Sequence, residues 1–241
     1  MEQIQISAKV LGQVAMPDFC ERCFWIKLHS KKIPWQIFPG IFSTIDAYTK
    51  KIVHQWIDRL MSSEIRDADC PQFLKDLSIN GYMKVPHWSK FRTEIKEFGI
   101  TLSGGADDLL TNPGGIHIPD YKTAKYTANQ DKLYPMYRAQ VQGYARIAED
   151  LGLTVDSLSL IYMTPATDEP QVVINGRHPD IFKMTFLPHY LPVMLDIDSL
   201  DPLLERARKI YDGPMPVPEP KCKDCEALND IMDLHANPNL P

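Results

Sequence analysis

Two Cys-x2-Cys pairs stand at opposite ends of the chain, Cys20-Glu21-Arg22-Cys23 near the start and Cys222-Lys223-Asp224-Cys225 near the end. A fold in which both pairs serve one purpose must bring those ends together, which excludes open or elongated architectures. Four thiolates suit tetrahedral Zn²⁺ or an iron–sulfur cluster. Closing so long a loop costs entropy that grows only with the logarithm of its length, so a metal clip is physically reasonable. The competing reading is two unrelated pairs of free thiols, or a thioredoxin-like redox pair. Just before Cys222, the stretch Gly213-Pro-Met-Pro-Val-Pro-Glu-Pro220 is expected to be extended, because alternate prolines hold φ near polyproline II and supply no backbone donor. It would deliver the second pair to a fixed place, while Phe24-Trp25-Ile26 shields the first. Cys70 stands outside both motifs and is expected to be a packed or free thiol.

The 241 residues are 44% hydrophobic and 24% charged, the balance of a globular chain rather than a disordered or fibrous one. Five cysteines are too few for a disulfide framework in a chain of this length. Residues 1–14 carry Glu2 and scattered polar groups where a secretory signal needs a basic cap and an apolar run. No stretch approaches the ~20 apolar residues of a membrane span. A cytoplasmic location with no membrane partner is therefore expected. The formal net charge of −5 speaks against bulk attraction to nucleic acid, but it is blind to a local basic surface or to carboxylates gathered round a cation.

Hydrophobic spacing predicts a helix over Gly40–Ser63, with Ile41, Ile45, Tyr48, Ile52, Trp56 and Leu60 recurring on one face and Ser43 as a cap near its start. Three strand-like runs follow, Phe91–Phe98, Ile100–Leu110 and Gly115–Lys122, divided by Gly99 and the turn Thr111–Gly115, and these are expected to form a meander. A second helix is predicted over Lys132–Leu151, and a buried-type strand over Leu158–Thr164. Val172–Ile174 and Ile181–Phe186 are candidate strands, and Leu195–Tyr211 a further helix. The order helix, three strands, helix, strand implies an α/β fold with a mixed sheet flanked by helices. A single domain is expected over 1–241, with a core at about 40–190 and with 15–35 and 213–230 joined as a cysteine patch.

Asp120-Tyr121-Lys122 closes the third strand-like run, and residues two apart in a strand share a face, so Asp120 and Lys122 point together. The same spacing occurs at Glu94-Ile95-Lys96 and Glu219-Pro220-Lys221, so context must choose between them. Only Asp120 has Gly104-Gly105-Ala106-Asp107-Asp108 in the preceding run, and paired glycines in a strand mark a bulge or a close approach. With the two runs antiparallel about the turn, Asp107 and Asp120 fall within about a residue or two of being opposite. Carboxylates held that close repel unless a cation lies between them, and an oxygen-rich site suits Mg²⁺ or Mn²⁺. Lys122 would then orient an attacking water or stabilise charge developing on a phosphate. The plainer alternative is a surface Asp120–Lys122 ion pair, a solvated Asp108 and a glycine bulge. On the following helix Gln140 interrupts the apolar stripe Leu133, Met136, Tyr137, Val141, Tyr144, Ala148 and Leu151. It sits one turn before Tyr144, so both can reach the cleft over the strand ends. Lys122, Lys125, Lys132, Arg138 and Arg146 against Asp131 make this stretch locally basic.

Taken in order, Gly104-x-x-Asp107, Asp120-Tyr121-Lys122 with Thr123 after it, and Gln140-x3-Tyr144 resemble the PD-(D/E)xK nuclease superfamily. Within it they look like the RecB-like branch that includes CRISPR-associated exonucleases and AddB-type nuclease domains. The resemblance spans about residues 15–165 and returns at the C-terminal cysteines. It implies a restriction-endonuclease-like core in which Asp107, Asp120 and the Tyr121 carbonyl hold Mg²⁺ or Mn²⁺, and Lys122 assists the attacking water. Gln140 and Tyr144 would position nucleic acid or the catalytic residues, with Lys125 and Arg138 as further nucleic-acid contacts. The branch also places a metal-binding His on the first helix, four residues after a glycine. Here the helix offers Asp46 and His54 without that glycine, and Asp46, Lys50 and His54 share one face. Cys20-Glu21-Arg22-Cys23-Phe24-Trp25 resembles the branch's Cys-Pro-Arg-x-Phe segment, which implies an iron–sulfur cluster, 4Fe–4S ahead of Zn²⁺. The two-plus-two pairing departs from the branch's commoner one-plus-three and keeps zinc as a competitor.

The activity implied is metal-dependent hydrolysis of DNA phosphodiester bonds, by an exonuclease or an enzyme directed to single strands or ends. Phe24, Trp25, Trp35 and Tyr144 are candidate stacking surfaces, and a helicase or another DNA-processing protein is a candidate partner. Two rivals stand beside it. One is a nuclease-fold nucleic-acid-binding protein with weak turnover or none; the other is a metal-stapled interaction or redox protein centred on the four cysteines.

Overall fold

Strand alternation and helix periodicity sort the chain into two mixed sheets with helices on their faces, an α/β arrangement. The computed structural model describes residues 2–30, 40–66, 69–127, 132–167 and 184–236. The elements run β1 (Ile4–Ser7), α1 (Ala8–Gly12), α2 (Glu21–Ser30), α3 (Gly40–Met61), α4 (Gln72–Asp76), β2 (Gly81–Tyr82), β3 (Arg92–Ile95), β4 (Ile100–Ser103), β5 (Leu110–Asn112), β6 (Gly115–Lys122), α5 (Tyr134–Asp150), β7 (Val155–Pro165), β8 (Phe186–Val193), α6 (Asp201–Asp212) and α7 (Lys223–Ala236). The smaller sheet has the order β1-β4-β3 and the larger the order β2-β5-β6-β7-β8. Strands β6 and β7 are parallel, which requires a crossover, and α5 supplies it.

The alternation of β6 and β7 builds two cores. Even-numbered Ile116, Ile118, Leu158 and Leu160 pack with Val141, Ala145 and Ala148 of α5. Odd-numbered Tyr121 and Ile161 pack with Val53 and Ile57 of α3. The central strands are therefore covered on both faces, as their near-continuous apolar runs require. Close packing of α5 on α1 depends on Gly143, where a Cβ would lie 2.7 Å from that of Ala8.

The expected helices are present as α3 and α5, and the predicted strand Leu158–Thr164 lies inside β7. The predicted helix Leu195–Tyr211 is a 3-10 turn, Ile197–Leu200, followed by α6. The meander needs correction. Its middle run, Ile100–Leu110, breaks after Ser103, so β4 joins the smaller sheet and β5 the larger. Glycine contributes no side chain to a ladder, and the Asp108 carboxylate takes the Leu109 N–H at 3.0 Å in place of a strand partner. Strand β8 carries Pro188 and Pro192, residues that argue against a strand unless it lies at an edge, as β8 does. Val172–Ile174 and the first half of Ile181–Phe186 fall outside the described residues. Among the described residues no helix is long and apolar enough to cross a membrane.

His117 is fully buried in β6, its ring nitrogens within 2.9 Å of Ser157 Oγ and 2.8 Å of Ser159 Oγ. Burial lowers it from 6.5 to about 4. The unfolded chain takes up this proton near pH 6.5 and the folded chain resists it, so stability falls as pH drops from 6.5 towards 4. The full gap corresponds to about 3 kcal/mol. Denaturant unfolding across that window should show a steeper loss in wild type than in His117→Gln, and equal slopes would contradict this assignment.

Candidate active site and cysteine centre

Strand β6 ends in Asp120, Tyr121 and Lys122, and alternation sends Asp120 and Lys122 towards α5 and Tyr121 towards α3. The Lys122 ammonium is ion-paired with Asp120 Oδ2. It also donates to Gln140 Oε1 at 3.2 Å and lies 4.0 Å from the centre of the Tyr137 ring. Gln140 Nε2 donates to Asp120 Oδ1 at 3.3 Å and to the Tyr144 hydroxyl at 2.6 Å. The amide that interrupts the apolar stripe thus holds Asp120, Lys122 and Tyr144 in one network, in which Asp120 Oδ2 relies on the Lys122 ion pair alone. Burial beside Asp120 pushes the Tyr144 phenol up and keeps it protonated. Gly104 makes room for this ring, since a Cβ there would fall 2.8 Å from it.

Asp107 reaches the same place by a different route from the one expected. The β5–β6 register pairs Leu110 with His117, and projected back it sets Asp107 against Asp120, although the ladder has ended by then. Asp107 Oδ2 instead accepts the Tyr121 N–H at 2.8 Å. The residue is partly exposed but its carboxyl group is walled in. Burial pushes it up to about 8, the Asp120 charge adds to this, and Lys122 and the Tyr121 N–H offset only part. Two carboxylates so near that the charge of Asp120 raises Asp107, with an ammonium paired to Asp120, are the donor chemistry of a hard divalent cation. In donor type and in charge the residues fit Mg²⁺ or Mn²⁺. Asp46 is close enough to raise Asp107 further, and its Oδ1 accepts the Thr123 hydroxyl at 2.7 Å. It does not join Asp107 and Asp120 in a converged three-ligand group among the described residues.

His54 is not aimed at this site. Its Nε2 lies 3.0 and 2.9 Å from the two oxygens of Asp108. Asp108 itself, expected to be solvated in the plainer alternative, is fully buried. Arg138 is committed to Asp196 at 2.7 Å, whereas Lys125 is exposed. The stacking surfaces also need correction. Phe24 and Tyr144 are buried, Trp25 Nε1 donates to the Gly213 carbonyl at 3.0 Å, and Trp35 lies outside the described residues. Sequence reasoning missed Tyr137 beneath the lysine and the buried Asp108. The signals were there: Tyr137 stands three residues before Gln140, and Asp108 follows the glycine pair and the proposed ligand.

The four cysteines converge, with Sγ atoms all within 4.8 Å of one another. Cys23 lies 3.5 Å from Cys222 and 3.4 Å from Cys225, and Cys20 lies 3.7 Å from Cys225. Each pair straddles a helix start: Cys20 precedes α2 and Cys23 is in its first turn, and Cys222 and Cys225 stand likewise on α7. Helix N-termini favour negative charge, so both helices aim their positive ends at the thiols. Burial and the neighbouring thiols push Cys23 up, and burial takes Cys225 to about 11. Burial opposes ionisation of Cys20 too, but N–H groups of Glu219 and Cys23 and the other thiols bring it down. Four such thiols become thiolates together only around a cation. The strut is anchored by the Trp25–Gly213 bond and by the Glu219 N–H, 3.5 Å from Cys20 Sγ. The centre can hold a metal ion or cluster.

No protein-family model matches the chain, and no curated protein does. Among solved structures, one titled "Crystal structure of SSO0001" is a distant match at 13% sequence identity and a TM-score of 0.37, over 90% of this chain and 81% of that one. A likeness at that level carries no argument about function, and the residues themselves must supply it.

Proposed function

We propose that this chain is a divalent-metal-dependent deoxyribonuclease of the PD-(D/E)xK type, acting on single-stranded or end-containing DNA. The observation that carries the reading is the meeting of Asp107, Asp120, Lys122 and Gln140 from separate segments at the end of β6. Mg²⁺ or Mn²⁺ held by Asp107, Asp120 and the Tyr121 carbonyl would polarise the phosphate and make a water acidic enough to attack it. The Lys122 ammonium, ion-paired with Asp120, would orient that water or donate to the phosphate oxygen on which charge develops. Gln140 and Tyr144 keep Asp120 and Lys122 in fixed relation, so the pair needs no rearrangement as charge builds. To hold a cation Asp107 would have to be ionised, and since burial pushes it up to about 8, cation binding would be linked to proton release.

The electrostatic footprint for DNA is small, because Lys125 is exposed while Arg138 is already paired. A short contact of this kind suits a single strand or an end better than a wrapped duplex, and it suits a helicase or similar partner that presents such strands. His54 turned to Asp108, with Asp46 outside the converged set, favours a weak cation site. A nuclease-fold DNA-binding protein without turnover is therefore the second reading.

For the cysteine centre the reading is a single Zn²⁺ that staples the two ends. Bonds of about 2.3 Å in a tetrahedron place sulfurs about 3.8 Å apart, near the 3.4 to 3.7 Å of Cys20–Cys225, Cys23–Cys222 and Cys23–Cys225 in a set whose members all lie within 4.8 Å of one another. In a 4Fe–4S cluster each thiolate takes its own iron, which spreads the sulfurs over a larger tetrahedron.

Lys122→Ala should cut Mn²⁺-dependent cleavage of labelled single-stranded DNA by at least about 100-fold, assayed at a temperature where circular dichroism shows the variant still folded, because loss of a buried ion pair also lowers its melting temperature. Equal rates in the two proteins would remove the catalytic reading and leave the binding one. Elemental analysis of anaerobically purified protein should find about one zinc per chain in a colourless sample. Brown protein with iron and acid-labile sulfide would overturn the zinc assignment.

A further inference from the structure

Helix α3 presents Asp46, Lys50, His54 and Asp58 at intervals of one turn, and each holds a different part of the neighbouring structure. Asp46 accepts from the Thr123 hydroxyl at 2.7 Å, just beyond the end of β6. Lys50 Nζ donates to the backbone carbonyl of Asp107 at 2.7 Å and stands 3.6 Å from Asp108 Oδ1. His54 Nε2 binds both oxygens of Asp108, at 3.0 and 2.9 Å. Asp58 accepts from Tyr82, whose ring stacks on His54 at 3.6 Å between centroids. The Asp107–Asp108 step is thus gripped by two consecutive turns of one helix.

The opposite side of that step is gripped by a single residue of β6. The Tyr121 N–H donates to Asp107 Oδ2 at 2.8 Å, and the Tyr121 hydroxyl donates to Asp108 Oδ2 at 3.2 Å. Asp108 also accepts the Leu109 N–H at 3.0 Å and is fully buried. A buried carboxylate with this many partners is a rigid anchor, and the residue before it inherits the rigidity. The anchor is needed because the segment between Ser103 and Leu110 crosses from one sheet to the other and is tied to neighbouring strands at its two ends, where the Gly104 N–H donates to the Phe91 carbonyl at 2.9 Å and the Leu109 carbonyl accepts the Met83 N–H at 2.8 Å.

We propose that Lys50 and His54 are positioning residues that set the Asp107 carboxylate against Asp120 for a divalent cation, acting through the Asp107 carbonyl and the Asp108 side chain. The inference rests on the reading of Asp107 as a cation ligand. It gives His54 a different task from the direct ligation expected of a first-helix histidine. Asp107 moves as one piece with the Asp108 anchor, so loosening either grip spreads the two carboxylates and weakens the cation site. Lys122, which acts on the phosphate, and Gln140, which holds it from α5, lie on the other side of β6 and keep their geometry.

The test is calorimetric titration of Mn²⁺ into the full chain, for wild type, Lys50→Met, Lys50→Arg, His54→Ala and His54→Gln, with Asp107→Asn marking loss of a direct ligand. Lys50→Met and His54→Ala are expected to weaken Mn²⁺ by about tenfold or more, the usual effect of removing an outer hydrogen-bond partner. Lys50→Arg and His54→Gln should recover most of that loss. In cleavage assays the deficit should lie in the Mn²⁺ concentration needed for half-activation and close at saturating Mn²⁺. Lys50 is partly exposed, so its variants remain readable if His54→Ala fails to fold. Wild-type Mn²⁺ affinity in Lys50→Met overturns the proposal, as does a wild-type chain that binds no Mn²⁺. A wild-type chain that binds Mn²⁺ but cuts no DNA ends the nuclease reading alone, and the positioning proposal then stands or falls on Lys50→Met.

Discussion

Strand β6 is buried on both faces, and the alternation of its side chains decides where the rest of the structure must lie. Ile116, Ile118, Asp120 and Lys122 look towards α5, while His117 and Tyr121 look the other way. One strand can then carry a charged pair on one face and an anchoring tyrosine on the other without placing either in solvent. The polar groups survive burial because each face supplies partners: Gln140 for Asp120 and Lys122, and Asp107 and Asp108 for the two ends of Tyr121. A one-residue slip of register would exchange the faces and leave two charges in an apolar layer.

Crowded acidic groups recur at both centres. Burial, with the Asp120 charge adding to it, pushes Asp107 up to about 8. At the cysteine centre, four thiols meet where burial and their neighbours push Cys23 and Cys225 up. Each arrangement is unfavourable when its groups ionise alone and favourable around a cation, which is how metal binding becomes folding energy. The two differ in preparation. The cysteines are already converged and sit at two helix N-termini, whereas Asp46 stands back from the carboxylate pair.

Much of this was legible before any coordinates. The period of the apolar residues marks α3 and α5, and the polar interruption at Gln140 points to a buried network, because an amide in an apolar stripe needs partners. Pairing of the cysteine motifs requires the ends to meet. What the sequence left hidden has physical reasons. A pattern of apolar residues does not show that Gly104-Gly105 releases the chain from one sheet into another. Pro188 and Pro192 disguise β8 because proline is excluded from interior strands but not from an edge. Asp108 reads as a surface acid, and only tertiary packing supplies the His54, Tyr121 and Leu109 donors that let it be buried. The role of His54 was hidden for the same reason: its helical face is evident, but its partner depends on where an irregular segment runs.

The central claim is that Asp107 and Asp120 form one cation site, and anomalous X-ray diffraction from crystals soaked with Mn²⁺ tests it most directly. The account requires an anomalous peak within bonding distance of both carboxylates, beside the Tyr121 carbonyl. A manganese peak on other residues, or none at this pair at saturating Mn²⁺, would contradict it.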